Sequence, residues 1–329
     1  MRITFISQKG PSFIERNTPH VPVDLAQQCA LKAYNHHYSQ IKEMKNEWDV
    51  VILLIPKTQE DRDNLYSLFP YDSDGNELVK KAKSISKQVW YMQEGPSWIF
   101  QDLPLHQQFW HYSILTGVDG ILCENKTDIP YFKGLVPNKI SERITDIPSV
   151  MIEDLIKDYP NIEKEEKVMI GGNFCRWYGG FDSYIVAQEF HCPIFAPSMG
   201  RRIENEELVP NLTHYPYLNW NEWIKTLASH KYAIHLMPTI AAGTFAMNCA
   251  FLGIPCIGYQ EADTQSELHP NLSVKFGDIE KARELAYKLK NDKKFFENCS
   301  NSCKLNYDKL FSENIFIKHM RKTFNFGEK

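Results

Sequence analysis

The sequence predicts an α/β protein of two doubly wound halves, each a mostly parallel sheet flanked by helices. Three observations predict it. A chain of 329 residues exceeds the size at which one hydrophobic core keeps growing, so two domains of roughly 150 residues each are expected. Short β-rich runs alternate with longer helical patterns through both halves, as parallel sheets with crossover helices require. Residues 154–167 are mostly charged and polar and include Pro160, so they read as the join between two structured parts. The expected domains are 1–155 and 156–329, with the terminal helix able to pack back on the first.

In the first half, residues 3–7 and 49–55 read as strands, the second a continuous buried one. Residues 24–44 are predicted as one helix, because Ala30, Tyr34, Tyr38 and Ile41 recur at helical spacing. Residues 87–92 and 120–123 supply further strands, and 109–115 a helix with Pro104 near its start. In the second half the alternation restarts with strand 168–171, helix 182–189 and strand 193–196. Trp220, Trp223, Ile224 and Leu227 fall at i, i+3, i+4 and i+7 of a helix that leads into strand 232–237. A short apolar helix runs from the Gly243 turn to Gly253, strand 255–258 follows, and Ile279, Ala282, Ala286 and Leu289 mark another helix. The tail from Phe295 is predicted helical throughout.

Composition bounds the function. Hydrophobic residues make up 43% and charged residues 24% of the chain, which suits two ordinary cores and no disordered arm. A formal net charge of -4 gives no general attraction to nucleic acid. Eight scattered cysteines read as packed free thiols, and a reduced, cytoplasmic compartment is expected. Cys299 and Cys303 share a helix face, but no second Cys or His pair completes zinc spacing, so no metal site is expected. No run reaches the ~18 apolar residues of a membrane span.

Two nucleotide chemistries lose support at once. The first strand is followed by Gln8-Lys9-Gly10-Pro11 rather than Gly-x-Gly-x-x-Gly, and no Gly-x4-Gly-Lys-Ser/Thr occurs anywhere. The informative stretch is 221–258, a helix, a strand ending in His235-Leu236-Met237-Pro238, a turn Thr239-Ile240-Ala241-Ala242-Gly243-Thr244, a helix, then Leu252-Gly253-Ile254-Pro255-Cys256-Ile257. It resembles the nucleotide-binding half of GT-B fold glycosyltransferases, two Rossmann-like domains facing across a cleft.

That resemblance implies a donor diphosphate held by the amides near Gly243, Thr244 and Phe245, where a helix amino end favours anions. Many retaining members carry Glu-x7-Glu across this turn, and here those positions are Ile240 and Asn248, so an inverting mechanism is expected. Asn248 retains an amide able to meet a ribose hydroxyl. A second match, Ile170-Gly171-Gly172-Asn173-Phe174-Cys175-Arg176-Trp177-Tyr178-Gly179-Gly180, resembles the family's glycine-rich donor loop, with Gly172 and Asn173 against the ligand and Arg176 on phosphate. Its plain alternative is a surface ion pair. Tyr217 stands where family members contact the nucleobase, with core packing as its alternative. His235 ends a buried strand and reads as a core histidine.

Inverting transfer needs a base for the acceptor hydroxyl. Glu94, after the strand Val89-Trp90-Tyr91-Met92, is the first candidate, and its surroundings resemble the DNA β-glucosyltransferases of T-even phages over about a tenth of the chain. His20, with Asp24, ranks second, while Asp102 and Asp119 compete. Trp98, Phe100, Phe109, Trp110 and Tyr112 read as core or as rings for an acceptor, and Arg201-Arg202 as solvated charge or a phosphate contact.

The expectation is therefore a metal-independent glycosyltransferase with a UDP-sugar donor and no other cofactor. Its acceptor would be a glycan, a lipid-linked sugar, a small molecule or a modified DNA base. The alternatives are a sugar-nucleotide epimerase or hydrolase, and a nucleotide-sugar-binding module without catalysis.

Overall fold

A computed structural model describes residues 1–8, 12–13, 26–45, 47–56, 58–72, 75–93, 95–197 and 206–324. The chain divides into two compact units, one built on Leu25–Pro148 with Phe316–Lys329 and the other on Ser149–Ile315. Each is a Rossmann-like α/β domain.

The first unit contains β1 (Ile3–Ser7), β2 (Ser12–Phe13), β3 (Tyr34–His37), β4 (Trp48–Ile55), β5 (Tyr71–Asp72), β6 (Gly75–Asn76), β7 (Ser86–Gln93), β8 (Gly120–Cys123) and β9 (Ile144–Asp146). Its main sheet has the order β2-β3-β1-β4-β7-β8-β9, parallel except for the short β2, and β5 with β6 makes a separate hairpin. Helices α1 (Ala26–Leu31), α2 (Gln59–Leu68), α3 (Glu77–Ile85), α4 (Leu105–Gly117), α5 (Ile129–Leu135) and α6 (Asn138–Ser141) accompany it. The continuous apolar run of β4 is explained by its central place, with Val50, Val51 and Ile52 all 0% exposed.

The expected helix over residues 24–44 is corrected. Among the described residues of that span, α1 stops at Leu31, Lys32 takes a left-handed φ of 52°, and Ala33 N bonds back to Gln28 O at 2.9 Å. Tyr34–His37 instead pairs in parallel with β1, from Thr4↔Tyr34 to Ser7↔His37. The i, i+4 spacing of apolar residues is real, but the flank of β1 needs a hydrogen-bonding partner. An aromatic, extended segment supplies it, and Ser7 Oγ donates to Asn35 Oδ1 at 2.9 Å.

The second unit contains β10 (Glu165–Ile170), β11 (Ile194–Ala196), β12 (Leu212–His214), β13 (His230–His235), β14 (Cys256–Tyr259) and β15 (Ser273–Val274). All six are parallel, in the order β12-β11-β10-β13-β14-β15. Its helices are α7 (Gly180–Ala187), α8 (Trp220–Ala228), α9 (Thr244–Leu252), α10 (Asp263–Leu268), α11 (Ile279–Asn291) and α12 (Lys293–Leu310). The last helix, α13 (Glu313–Phe324), carries the chain into the first unit, where Gln88 Nε2 donates to Phe324 O at 2.9 Å.

All eight cysteines are free thiols. Cys299 and Cys303 lie buried on α12, and burial pushes Cys299 up to about 11 and Cys303 up to about 12, as packed thiols should be. Among the described residues no helix is long and apolar enough to cross a membrane.

Candidate functional site

In the second sheet the first strand in the chain, β10, lies between β11 and β13, so successive connections leave it in opposite directions. Such a reversal opens a crevice at the carboxyl ends of the two central strands, where doubly wound proteins bind ligands. The loops after Ile170 and after His235 meet there, joined by Gly171 N donating to Ile234 O at 2.8 Å. Glycine is required for this approach. A Cβ on Gly171 would sit 2.5 Å from the His235 ring, and one on Gly179, at φ 62°, would sit 1.9 Å from Leu236 O. Gly172 is closed off in the same way by Tyr178, at 2.6 Å.

Helix α9 opens at this edge. Its N-cap is Gly243 at φ 63°, with no side chain capping the first turn and no acid within it. The helix's first internal bond runs from Met247 N to Gly243 O, so the amides of Thr244, Phe245 and Ala246 lie before the helical ladder begins. Helix α7 likewise starts at a left-handed glycine, Gly179, without a side-chain cap. By contrast α8, α11 and α12 are capped by Asn219, Asp278 and Asp292. The Gly243 turn is held from below, since Ser149 Oγ donates to Ala242 O at 2.9 Å. A Cβ on Gly243 would meet Thr264 Oγ1 at 1.7 Å. Gly243 and Thr244 stay partly exposed, while the rest of α9 is buried nearly all round.

The remaining residues singled out from the sequence fall into two groups. Arg176 is exposed, makes no ion pair among the described residues, and lies with its guanidinium 4.7 Å from the Trp177 ring centre. Tyr217 is 80% exposed, two residues before the Asn219 cap, so core packing does not account for it. Asn173, Phe245 and Asn248 are buried. Asn173 O accepts from Gly180 N at 3.1 Å and closes the glycine loop on itself. The Phe245 ring packs 5.1 Å from His235 and 6.2 Å from Trp223. With its amide oriented to suit both neighbours, Asn248 donates to Thr244 O at 3.0 Å and accepts from Trp223 Nε1 at 3.3 Å. Its amide is engaged within the fold, bracing the first turn of α9.

Sequence reading missed two further features here. Glu206 and His214, both buried, face each other at 2.9 Å, and Glu206 Oε1 also accepts from Phe174 N at 3.2 Å, which anchors the glycine loop. Thr264 Oγ1 is buried without a hydrogen-bond partner among the described residues. His235 is held neutral by burial, its pKa lowered to about 4. Isolated Glu, Thr and His residues carry no spacing signal that would have marked them.

Glu94, His20, Asp24, Arg201 and Arg202 lie outside the described residues. Asp119 precedes β8, at the amino end of the strands, where its Oδ2 accepts from Val89 N at 2.8 Å and Oδ1 pairs with Lys83 at 3.4 Å. That is a structural position. Asp102 is exposed at the end of a 3-10 turn. Trp110 is core, with Nε1 donating to Phe69 O at 2.7 Å, and Phe100 stacks on His111 at 4.6 Å, while Phe109 and Tyr112 are exposed. Beneath residues 95–97 the Tyr91 hydroxyl bonds Gln93 and His111, and Gln93 Nε2 donates to Pro96 O at 2.6 Å. Burial raises the Asp128 carboxyl above its ordinary range, against the opposing effect of hydrogen bonds with Ser97 and Asn125.

Two Rossmann-like domains in one chain are the architecture of the GT-B glycosyltransferases, and solved structures similar to this one belong to that class. No family model and no curated protein sequence matches the chain. An α-glucosyltransferase in complex with UDP-glucose and DNA containing an abasic site is similar at a TM-score of 0.64 and 12% identity, covering 98% of this chain and 99% of its own. The sucrose-phosphate synthase of Thermosynechococcus elongatus matches at 0.66 and 11%, covering 99% and 98%. Anabaena HepE, in complex with UDP and glucose, matches at 0.66 and 10%, covering 98% and 99%.

Proposed function

We propose that the protein is a glycosyltransferase that holds a nucleoside-diphosphate sugar, a UDP-sugar first, on its second unit and transfers the sugar to an acceptor hydroxyl. One observation carries this reading. The uncapped, acid-free amino end of α9 opens at the point where the strand order reverses, beside a glycine loop whose arginine makes no ion pair among the described residues. Oriented amides and a helix dipole stabilise a diphosphate both when bound and when it leaves with extra charge. In this reading Gly243, Thr244 and Phe245 offer backbone amides, and Thr244 adds its hydroxyl. Arg176 supplies the fixed positive charge, Gly172 and Asn173 shape the loop, Asn248 braces the turn and Tyr217 offers a ring to the base. Fold neighbours in complex with UDP-glucose and UDP support the choice of nucleotide.

Transfer with inversion follows from the absence of carboxylates at Ile240 and Asn248. Glu94 is the proposed base, with His20 second, and no metal is required if Arg176 and the amides carry the diphosphate charge. A modified DNA base is one acceptor among several, favoured by a neighbour solved with DNA.

A thermal-shift screen of nucleoside diphosphates and their sugars tests the reading, since a ligand at 100 times its dissociation constant stabilises by ~2.7 kcal/mol. UDP and UDP-sugars should raise the melting temperature. Silence with every nucleotide removes the proposal. Incubation with a UDP-sugar, with and without acceptors, then separates transfer from epimerisation, hydrolysis or simple binding, and the anomeric configuration of the product decides inversion.

A further inference from the structure

His235 closes β13 at the crevice, and its ring fills the space that denies Gly171 a side chain. It meets Phe245, in the first turn of α9, edge to face at 5.1 Å. Its Nε2 is sealed from solvent and has no hydrogen-bond partner among the described residues. At the same turn Thr264 Oγ1, packed against Gly243, is equally sealed and unpartnered among the described residues. Two orphaned polar atoms thus flank one uncapped helix end. Buried polar groups in folded proteins nearly always find a partner, and at a helix end without a side-chain cap a ligand oxygen can supply it.

A nearby histidine shows what a purely structural one looks like. His269 is also buried, and both its nitrogens are used, Nε2 with Ala246 O at 2.9 Å and Nδ1 with Cys256 N at 3.4 Å. His111 and His230 each leave one nitrogen unbonded, but the other is fixed, by the Tyr91 hydroxyl and by Thr226 O. Neither of those two stands at the carboxyl end of a strand flanking the reversal.

Resting on the donor site proposed above, we infer that His235 is a donor-contact residue whose Nε2–H donates a hydrogen bond to an oxygen of the bound diphosphate. An uncharged imidazole suits this place, because it adds a directed donor without burying a cation. The class of ligand follows from the chemistry. An N–H on the ring that packs against Phe245, in a first helical turn with no side-chain cap, suits an anionic phosphate oxygen better than a hydroxyl.

The test uses the whole chain labelled with 15N-histidine, titrated with UDP and separately with uridine, while the imidazole nitrogens are followed by long-range 1H–15N correlation. The His235 signals are assigned by their loss in His235→Leu. UDP should shift the Nε2 resonance of His235, and uridine should leave it in place. By calorimetry His235→Leu should bind UDP about 10-fold or more weakly, as expected for a lost hydrogen bond to a charged group. His235→Gln, which keeps an N–H at similar reach, should recover most of that loss. If wild type binds UDP with Nε2 unmoved, or if the Leu variant binds UDP as well as wild type, the inference falls and the donor site survives. If wild type binds no nucleotide, both fall. Should the Leu variant not fold, the His235→Gln spectrum supplies the assignment and the wild-type titration decides.

Discussion

The two units place a helix after the strand at which their order reverses, and they finish that helix in opposite ways. In the first unit α2 follows β4. Thr58 caps it, its side chain accepting from Asp61 N, and Glu60 and Asp61 stand in the first turn. Its dipole is met from within the chain. In the second unit α9 follows β13 with a glycine cap, no side-chain acceptor and no acid. One helix end is capped from within the chain, and the other is the end the proposed reading gives to an anion. In that reading the same local geometry serves as scaffold or as site according to a few residues at the cap.

The largest break of this contrast is Gly243→Val. Its Cβ would land on Thr264 Oγ1 at a φ of 63°, so the turn must rebuild. UDP affinity should fall by more than ~100-fold as the amides lose their alignment. Retained affinity in calorimetry would detach the ligand from α9.

Acid should separate the units next. Burial holds His230, His235 and His269 of the second unit at about 4, while among the described residues of the first unit His111 is the one pushed down so far, to about 3. These depressed values mean that the unfolded chain takes up protons first, near 6.5, so stability is full above that pH and falls as pH drops toward 4. Each buried imidazole contributes up to ~3 kcal/mol to that loss. Hydrogen exchange between pH 7 and 4 should show the second unit opening first, and simultaneous opening would contradict the assignment.

A smaller and more pointed change is Thr244→Asp, which gives α9 the internal acid that α2 already has. The helix should gain ~0.5 kcal/mol in thermal melting while UDP binding weakens about 10-fold through repulsion. The mirror change, Thr58→Ala, should cost ~1 kcal/mol of stability and leave UDP affinity untouched. If Thr58→Ala alters nucleotide binding, the division of roles between the two helix ends is wrong.

Much of the second sheet was legible in the residues, because continuous apolar strands and the Gly-x-Pro signal after α9 are local patterns. The 24–44 segment was not, since its apolar spacing satisfies a helix equally well and only the open flank of β1 selects a strand. Helices α2, α5 and α6 carry little signal because they are polar or short, with few residues committed to the core, while α3 buries Leu78, Val79, Ala82 and Ile85 in a stripe the sequence reading did not pick out. At the site, Gly243, Thr244 and Arg176 announced themselves through turn, cap and charge. His235 reads as core from its place at the end of a buried strand; the structure leaves it half-buried, and its Nε2, unbonded among the described residues, is a property of neighbours that no spacing records.

By itself the sequence determined the alternation of strands and helices, the glycine cap of α9 and the absence of carboxylates across its turn. These depend on backbone freedom and side-chain chemistry within a few residues. Tertiary structure decided that β10 lies beside β13, that Gly171 yields its space to His235, and that Thr264 abuts Gly243. Parallel strands find partners through long crossovers, so the pairing that assembles the site is set by how whole elements pack and not by any local run of residues.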